Sequence, residues 1–210
     1  KAIYNKSYFD KISTQILNVF YGIPQFWLAG LLLTYFAGID YLNFFPVSGV
    51  TSPFLDYNID EGFYHLFLDV AWHLILPVFC ISMPIIAVVS NQIKQGLLDF
   101  EDELFATTSK AKGNSNIKTM FIHGMSIIKV LLVSQGASIF SGILSGAIII
   151  ETIFSLPGMG TKGFTATQSQ DYPLLYIILL MTVLFITVVN LIMDVCYTLV
   201  DPRIKFSKSI

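Results

Sequence analysis

Charge is scarce in this sequence. Acidic and basic side chains together make up 12% of 210 residues, and their net charge is −2. So sparse a set offers no basic field for nucleic acid and too little polar surface for a soluble domain. Cysteine is rarer still: Cys80 and Cys196 both sit inside apolar runs, which makes a disulfide framework implausible. His65, His73 and His123 are scattered without metal-ligand spacing, so no metal site is expected. There is no G-x-x-x-x-G-K-[ST] phosphate loop, because "GTKGFT" at 160–165 lacks the spacing. A heptad coiled coil, a Ser-His-Asp constellation, a zincin motif, internal repeats and low-complexity tracts are also missing.

What the chain has is apolar length. Hydrophobic residues make up 54% and the mean hydropathy is +0.69, the signature of an integral membrane protein. A helix needs about 20 predominantly apolar residues to cross the hydrocarbon core. Four stretches qualify, centred on Val19 to Phe36, Ala71 to Ser90, Val130 to Ile150 and Leu174 to Val200. The fold class expected is all-α, a polytopic transmembrane helix bundle, with 1–210 as a single domain.

The basic residues set the orientation. Lys1, Lys6 and Lys11 precede the first span; Lys94, Lys110, Lys112, Lys118 and Lys129 separate the second from the third; Arg203, Lys205 and Lys208 follow the fourth. With four spans these groups fall on one side, leaving only Lys162 on the other, so both ends and the central loop are expected to be cytoplasmic. The first outer loop, Gly38 to Asp69, has no basic residue, and its "YLNFFPVSG" at 41–49 reads mostly as an interfacial segment.

The third span carries small residues at every fourth position, Ser134, Ser138, Gly142 and Gly146, with Ala137, Ser141 and Ser145 beside them. Such a face either permits close helix approach or lines a polar path, and spacing alone favours helix packing. Glu151 follows at the outer membrane edge, then Pro157, Gly158 and Gly160 force a sharp turn. Irregular backbone at that depth is tolerated only when protein covers it or it lines a cavity. The expectation is a short outer element packed into the bundle and anchored by Glu151.

The cytoplasmic loop, 97–124, is too polar to enter the membrane and reads as short helices broken at Gly113-Asn114-Ser115. Leu104, Phe105 and Ala106 have no evident core to fill and stand near Lys110 and Lys112. They suit either a protein docking surface or an amphipathic helix on anionic lipid. In the fourth span Asn190 and Asp194 share one face, with Arg203 or Lys129 as candidate partners for the acid.

Taken in order, "FPVSG" (45–49), "WHLILP" (72–77), "ATTSKAKG" (106–113), "ETIFSLPGMG" (151–160), "QDYPLL" (170–175) and "VNLIMDVCYTLVDPRIKF" (189–206) resemble the permease subunits of ABC importers of the dipeptide/oligopeptide/nickel type. The resemblance covers nearly the whole chain. It implies a type I importer permease whose spans here are the third to sixth of six, so that this chain is the C-terminal portion of a longer permease. It implies half of a translocation path for di- or oligopeptides, working by alternating access, in the cytoplasmic (inner) membrane of a bacterium. It also implies two ABC ATPase partners that bind ATP and Mg, a second and homologous permease, an extracytoplasmic substrate-binding protein, and no cofactor or catalytic residue in this chain. By the same resemblance, Glu103, Leu104, Phe105, Ala106, Thr107, Lys110, Ala111 and Gly113 form the ATPase-coupling element, with Phe105 and Ala106 as knobs. Thr107 stands where that family commonly has a basic residue, and Ser109 where it has alanine. The path and outer gate are assigned to Ser138, Ser141, Gly142, Ser145, Glu151, Phe154, Pro157 and Gly158. The same machinery importing nickel or a metal chelate is the alternative. A membrane-embedded enzyme using Glu151 or Asp194 is a remote one, since the two are expected on opposite membrane faces and an acid–base pair must meet.

Overall fold

A computed structural model of the chain describes residues 7–39, 41–52, 62–101 and 104–200. Every regular element among them is helical. In chain order these are α1 (Tyr8–Gly22), α2 (Gln25–Leu32) with a π-helical turn at Leu33–Ala37, and α3 (Gly62–Glu101). After them come α4 (Leu104–Ala111), α5 (Asn116–Thr119) with a second π-helical turn at Met120–Gly124, α6 (Met125–Ile153), α7 (Met159–Gln168) and α8 (Tyr172–Val200).

Three of these helices, α3, α6 and α8, are long and apolar enough to cross a membrane, and the broken pair of α1 and α2 makes a fourth if taken as one span. Here the first expected span needs correction: Val19 to Phe36 is not one helix. Proline has no N–H to donate into the preceding turn. Pro24 is extended (φ −58°, ψ 133°), so α1 stops at Gly22 and a new helix starts at Gln25. The Pro24 carbonyl accepts the N–H of Trp27 (3.0 Å) and Leu28 (3.1 Å), closing the first turn of α2.

Helix α3 has 40 residues and contains Pro77 and Pro84. At about 1.5 Å per residue its path is roughly twice the hydrocarbon thickness of about 30 Å, so part of it extends beyond the bilayer. His73, Leu76, Cys80 and Ala87 are buried, spaced three, four and seven apart along one face, and Pro77 is buried beside Leu76.

The chain divides into two compact units. The first gathers Lys1–Phe20, Ile85–Ser141 and Val183–Ile210. Within it α1 runs antiparallel to α3: Lys94 Nζ donates to both carboxylate oxygens of Asp10 at 2.6 Å, and Asn91 donates to the Asn18 side-chain oxygen at 3.4 Å. Helices α6 and α8 meet where Gly136 leaves room for Met193; a Cβ at position 136 would lie 2.6 Å from the Met193 sulfur. Phe100, Met120, Ile128 and Val189 are buried here.

The second unit gathers Tyr21–Pro84 and Gly142–Thr182. Leu28, Ala29, Leu76, Cys80, Ile150, Phe154 and Ala166 are its buried apolar residues of note. The loop after α2 is held by specific contacts: Phe45 stacks on Trp72 with ring centroids 4.7 Å apart. The Phe36 carbonyl accepts the N–H groups of Phe44 (2.8 Å) and Phe45 (3.1 Å), and Asp69 accepts from both the backbone N–H (2.7 Å) and the hydroxyl (2.8 Å) of Ser52. The remainder of that loop, 53–61, lies outside the described residues.

Candidate functional site

Two places concentrate the residues singled out by the sequence, one in each unit. In the second unit, α6 ends in a Schellman turn. Leu156 N–H reaches back to the Glu151 carbonyl (2.8 Å), Ser155 N–H to the Thr152 carbonyl (3.3 Å), and Ser155 takes the left-handed conformation at φ 52°. Pro157 then stops any continuation, and α7 begins at Met159. Its N-cap, Gly158, has no side chain with which to cap. The cap comes from α6 instead: a Glu151 carboxylate oxygen accepts the Thr161 N–H at 2.9 Å. A negative group is favoured there, because the first N–H groups of a helix lack partners and carry its positive end.

The glycines of this turn are required by what lies over them. A Cβ on Gly158 would occupy the space of the Glu151 carboxylate, and one on Gly160 would fall 2.6 Å from the Ile148 Cα. Thr161 Oγ1 donates to the Leu156 carbonyl (3.0 Å), and Gly49 N–H, from the loop after α2, donates to the Phe154 carbonyl (3.0 Å). Hence "PVSG" and "ETIFSLPGMG" are parts of one hydrogen-bonded element. Ser52 and Asp69 fasten the same loop to α3, and His73 Nδ1 donates to the Asp69 carbonyl at 2.8 Å.

Phe154, assigned above to the path, is buried, so it fills the inside of this element and does not line an open path. Pro157 is exposed and Glu151 half-buried. On α6, Ser138 and Gly142 are exposed, and a Cβ on Gly142 would meet nothing within 4 Å. Ser141 is half-exposed and donates to the Ala137 carbonyl at 3.0 Å. The small-residue face is therefore open at these positions. The close approach to α8 uses Gly136, on another side of α6. The side chain of Ser145 lies outside the described residues.

In the first unit, the polar segment between α3 and α6 folds as α4, a turn at Lys112–Gly113, and α5. Gly113 has φ +84°, a conformation natural to glycine. Ser115 begins α5 by accepting the Lys118 N–H on its hydroxyl (3.3 Å). The two helices are stitched by a polar cluster: the Ser109 and Thr119 hydroxyls are 3.0 Å apart and buried, and the Asn114 amide donates to Ser109 Oγ at 3.2 Å. Ser109, the departure from the resembling family, thus has an internal role here.

Ala106 needs correction as a docking knob: it is fully buried and packs the inside of the loop. Thr107, Ala111 and Gly113 are exposed and Lys110 is half-exposed. Leu104 and Phe105 belong to α4, but their side chains, and Glu103 altogether, lie outside the described residues. Exposed Ile117 and Phe121, unnoticed in the sequence, sit beside Lys118; their four-residue spacing across α5 was the available signal.

Asp194 pairs with neither of its expected partners among the described residues. Met193 is level with Gly136, whereas Lys129 lies seven residues, or about 10 Å, away along α6, and Arg203 is outside the described residues. By contrast Asp171 caps α8, accepting the Leu174 N–H at 3.2 Å. That capping explains why "QDYPLL" has its acid and its proline together at the start of a helix.

The chain is 35% identical over 208 residues to the inner membrane ABC transporter permease protein YejB of Escherichia coli O157:H7, covering 98% of this chain and 56% of that protein. It is 31% identical over 210 residues to the peptidoglycan transport system permease protein YejB of Agrobacterium fabrum, covering 99% and 57%. To the dipeptide transport system permease protein DppB of Escherichia coli K12 it is 30% identical over 220 residues, covering 99% and 64%. The chain thus spans a little over half the length of these relatives. Residues 1–206 match the family described as binding-protein-dependent transport system inner membrane component, and the chain belongs to that family.

Proposed function

We propose that this chain is part of a permease subunit in an ATP-driven ABC importer, and that its cargo is a peptide. The observation that carries the reading is the family match across residues 1–206, end to end through every helix described above. The relatives named for dipeptide and peptidoglycan transport support a peptide-class cargo over nickel or a metal chelate.

In this reading the protein breaks no bonds and binds no cofactor. Two ABC ATPases bind ATP and Mg, an extracytoplasmic binding protein delivers cargo, and a second permease completes the path. Binding of nucleotide and cargo shifts the population between outward- and inward-open states. The cytoplasmic loop is the coupling element. Its stitched core of Ala106, Ser109 and Thr119 makes a rigid body that transmits ATPase motion, with Phe105, Thr107, Lys110 and Ala111 as candidate contacts. The Glu151-capped turn is the outer gate, the open small-residue face of α6 lines the path, and both ends of the chain face the cytoplasm of a bacterium.

The test is Phe105→Asp in the complete gene product, purified in mild detergent with its partners. The expected result is loss of the ATPase subunits with normal membrane insertion. Recovery of the full complex with wild-type coupling contradicts the assignment of the loop.

A further inference from the structure

The segment Phe44 to Ser52, between α2 and α3, joins two other parts of the second unit. None of its residues is buried in this chain, and the left-handed positions Asn43 (φ 44°) and Gly49 (φ +84°) bend it at its entry and in its middle. Hydrogen bonds and the Phe45–Trp72 stack hold it in place. A segment held in this way, without buried apolar side chains of its own, belongs to the parts of a fold that open locally.

Two of its attachments differ in kind. Gly49 N–H supplies the Phe154 carbonyl, one of the carbonyls that a helix end leaves without a partner, so this bond makes the segment part of the α6–α7 turn. Ser52 instead reaches a side chain on α3: the Asp69 carboxylate accepts its backbone N–H at 2.7 Å and its hydroxyl at 2.8 Å. Bonds to a carboxylate are the strong ones. Asp69 is itself well fixed, with a side chain 10% exposed and a carbonyl that accepts Nδ1–H of buried His73 at 2.8 Å. The acceptor is therefore held on a helix, and the movable partner is the segment that carries Ser52.

Building on the permease reading above, in which the α6–α7 turn is the outer gate, we infer that Phe44 to Ser52 is a releasable strap on that gate and that the Ser52–Asp69 pair is its latch. Closed, the latch holds the strap on α3, and the strap holds the Phe154 end of α6 through Gly49. Released, strap and turn leave α3 together. Release takes both Ser52 donors from a nearly enclosed carboxylate, so the closed latch is the resting state and cargo delivery shifts the population toward the open one. Ser52 and Asp69 are positioning residues that act on the gate through Gly49 and Phe154. A static brace would make the same bonds, but it would tolerate being locked.

The experiment uses the complete gene product with its own partners in proteoliposomes. Ser52→Cys and Asp69→Cys are introduced together and bridged by a short bis-methanethiosulfonate reagent that a reductant removes. Wild-type protein, whose Cys80 and Cys196 meet the same reagent, is the control. Bridging should stop ATP-dependent uptake, and reductant should restore it in the same sample. Ser52→Ala removes the hydroxyl bond and leaves the backbone one. It should raise ATP hydrolysis in the absence of binding protein about tenfold, the equilibrium weight of one hydrogen bond to a charged group. Ser52→Thr, which keeps the hydroxyl, should return hydrolysis to the wild-type rate. Undiminished uptake with the bridge confirmed by mass spectrometry overturns the latch, and so does Ser52→Ala hydrolysis equal to wild type. If the double-cysteine protein does not assemble, the Ser52→Ala and Ser52→Thr pair decides alone. Wild-type protein that takes up no solute with ATP overturns the permease reading itself, whereas wild-type and bridged proteins that transport equally overturn the latch only.

Discussion

The Glu151 carboxylate caps a helix to which it does not belong, accepting the Thr161 N–H at 2.9 Å across the Pro157–Gly158 turn. That single bond relates three features of the sequence. The acid closes α6, the glycines leave space for its carboxylate and for the Ile148 backbone, and α7 begins in register beneath it.

Removing the cap or filling its space should destabilise the α6–α7 turn to different degrees. Glu151→Ala is expected to cost about 1 kcal/mol, the usual value of a lost cap. Gly160→Ala should cost more, about 1–3 kcal/mol, because the obstacle is the backbone of α6 and cannot rotate away. Thermal unfolding of the detergent-solubilised protein ranks the two.

Ser155 offers the opposite experiment. Its φ of 52° is a conformation that disfavours a Cβ by about 1–2 kcal/mol, and glycine is the usual residue at this point of a Schellman turn. Ser155→Gly should therefore raise stability by roughly 1 kcal/mol, and an unchanged or lowered midpoint would count against the turn described.

The Asp10–Lys94 pair is nearly enclosed, with side chains 6% and 18% exposed. Breaking such a pair from one side leaves a buried charge, so Lys94→Met should destabilise by about 3 kcal/mol or more. Asp10→Leu combined with Lys94→Met should recover most of that loss. A double-mutant cycle read by thermal unfolding checks both statements, and additive losses would show that the two groups do not interact.

Between α4 and α5, Thr119→Val should destabilise by about 1–2 kcal/mol, leaving the buried Ser109 hydroxyl with only the Asn114 amide. Adding Ser109→Ala, the residue common in the resembling family, should restore much of the difference. Proteolysis of the loop between α4 and α5 provides the readout.

What could be read in the sequence depended on how local the cause was. Pro157, Gly158 and Gly113 determine their turns through their own chemistry, so both breaks were legible. The three long spans were legible because lipid demands continuous apolar helix. The break inside the first span was missed because hydropathy averaged over Val19 to Phe36 does not register the lost N–H of Pro24. The Asp10–Lys94 pair joins residues 84 positions apart, and neither carries a local signal of its partner. Ala106 reads as a knob only while the Ser109–Thr119 stitch that folds the loop around it is unseen. The Ser52–Asp69 and Gly49–Phe154 bonds were likewise hidden, since backbone donors have no residue-type signature.

Transport tests the central claim most directly. The complete gene product, purified with its co-assembling chains and reconstituted in proteoliposomes with its binding protein, should accumulate a labelled dipeptide or longer peptide only when ATP is supplied on the side of the cytoplasmic loop. A complex that forms with ABC ATPases yet moves no peptide under any nucleotide condition, while moving another solute, would contradict the cargo. A chain that purifies alone and supports no ATP-dependent uptake would contradict the importer reading as a whole.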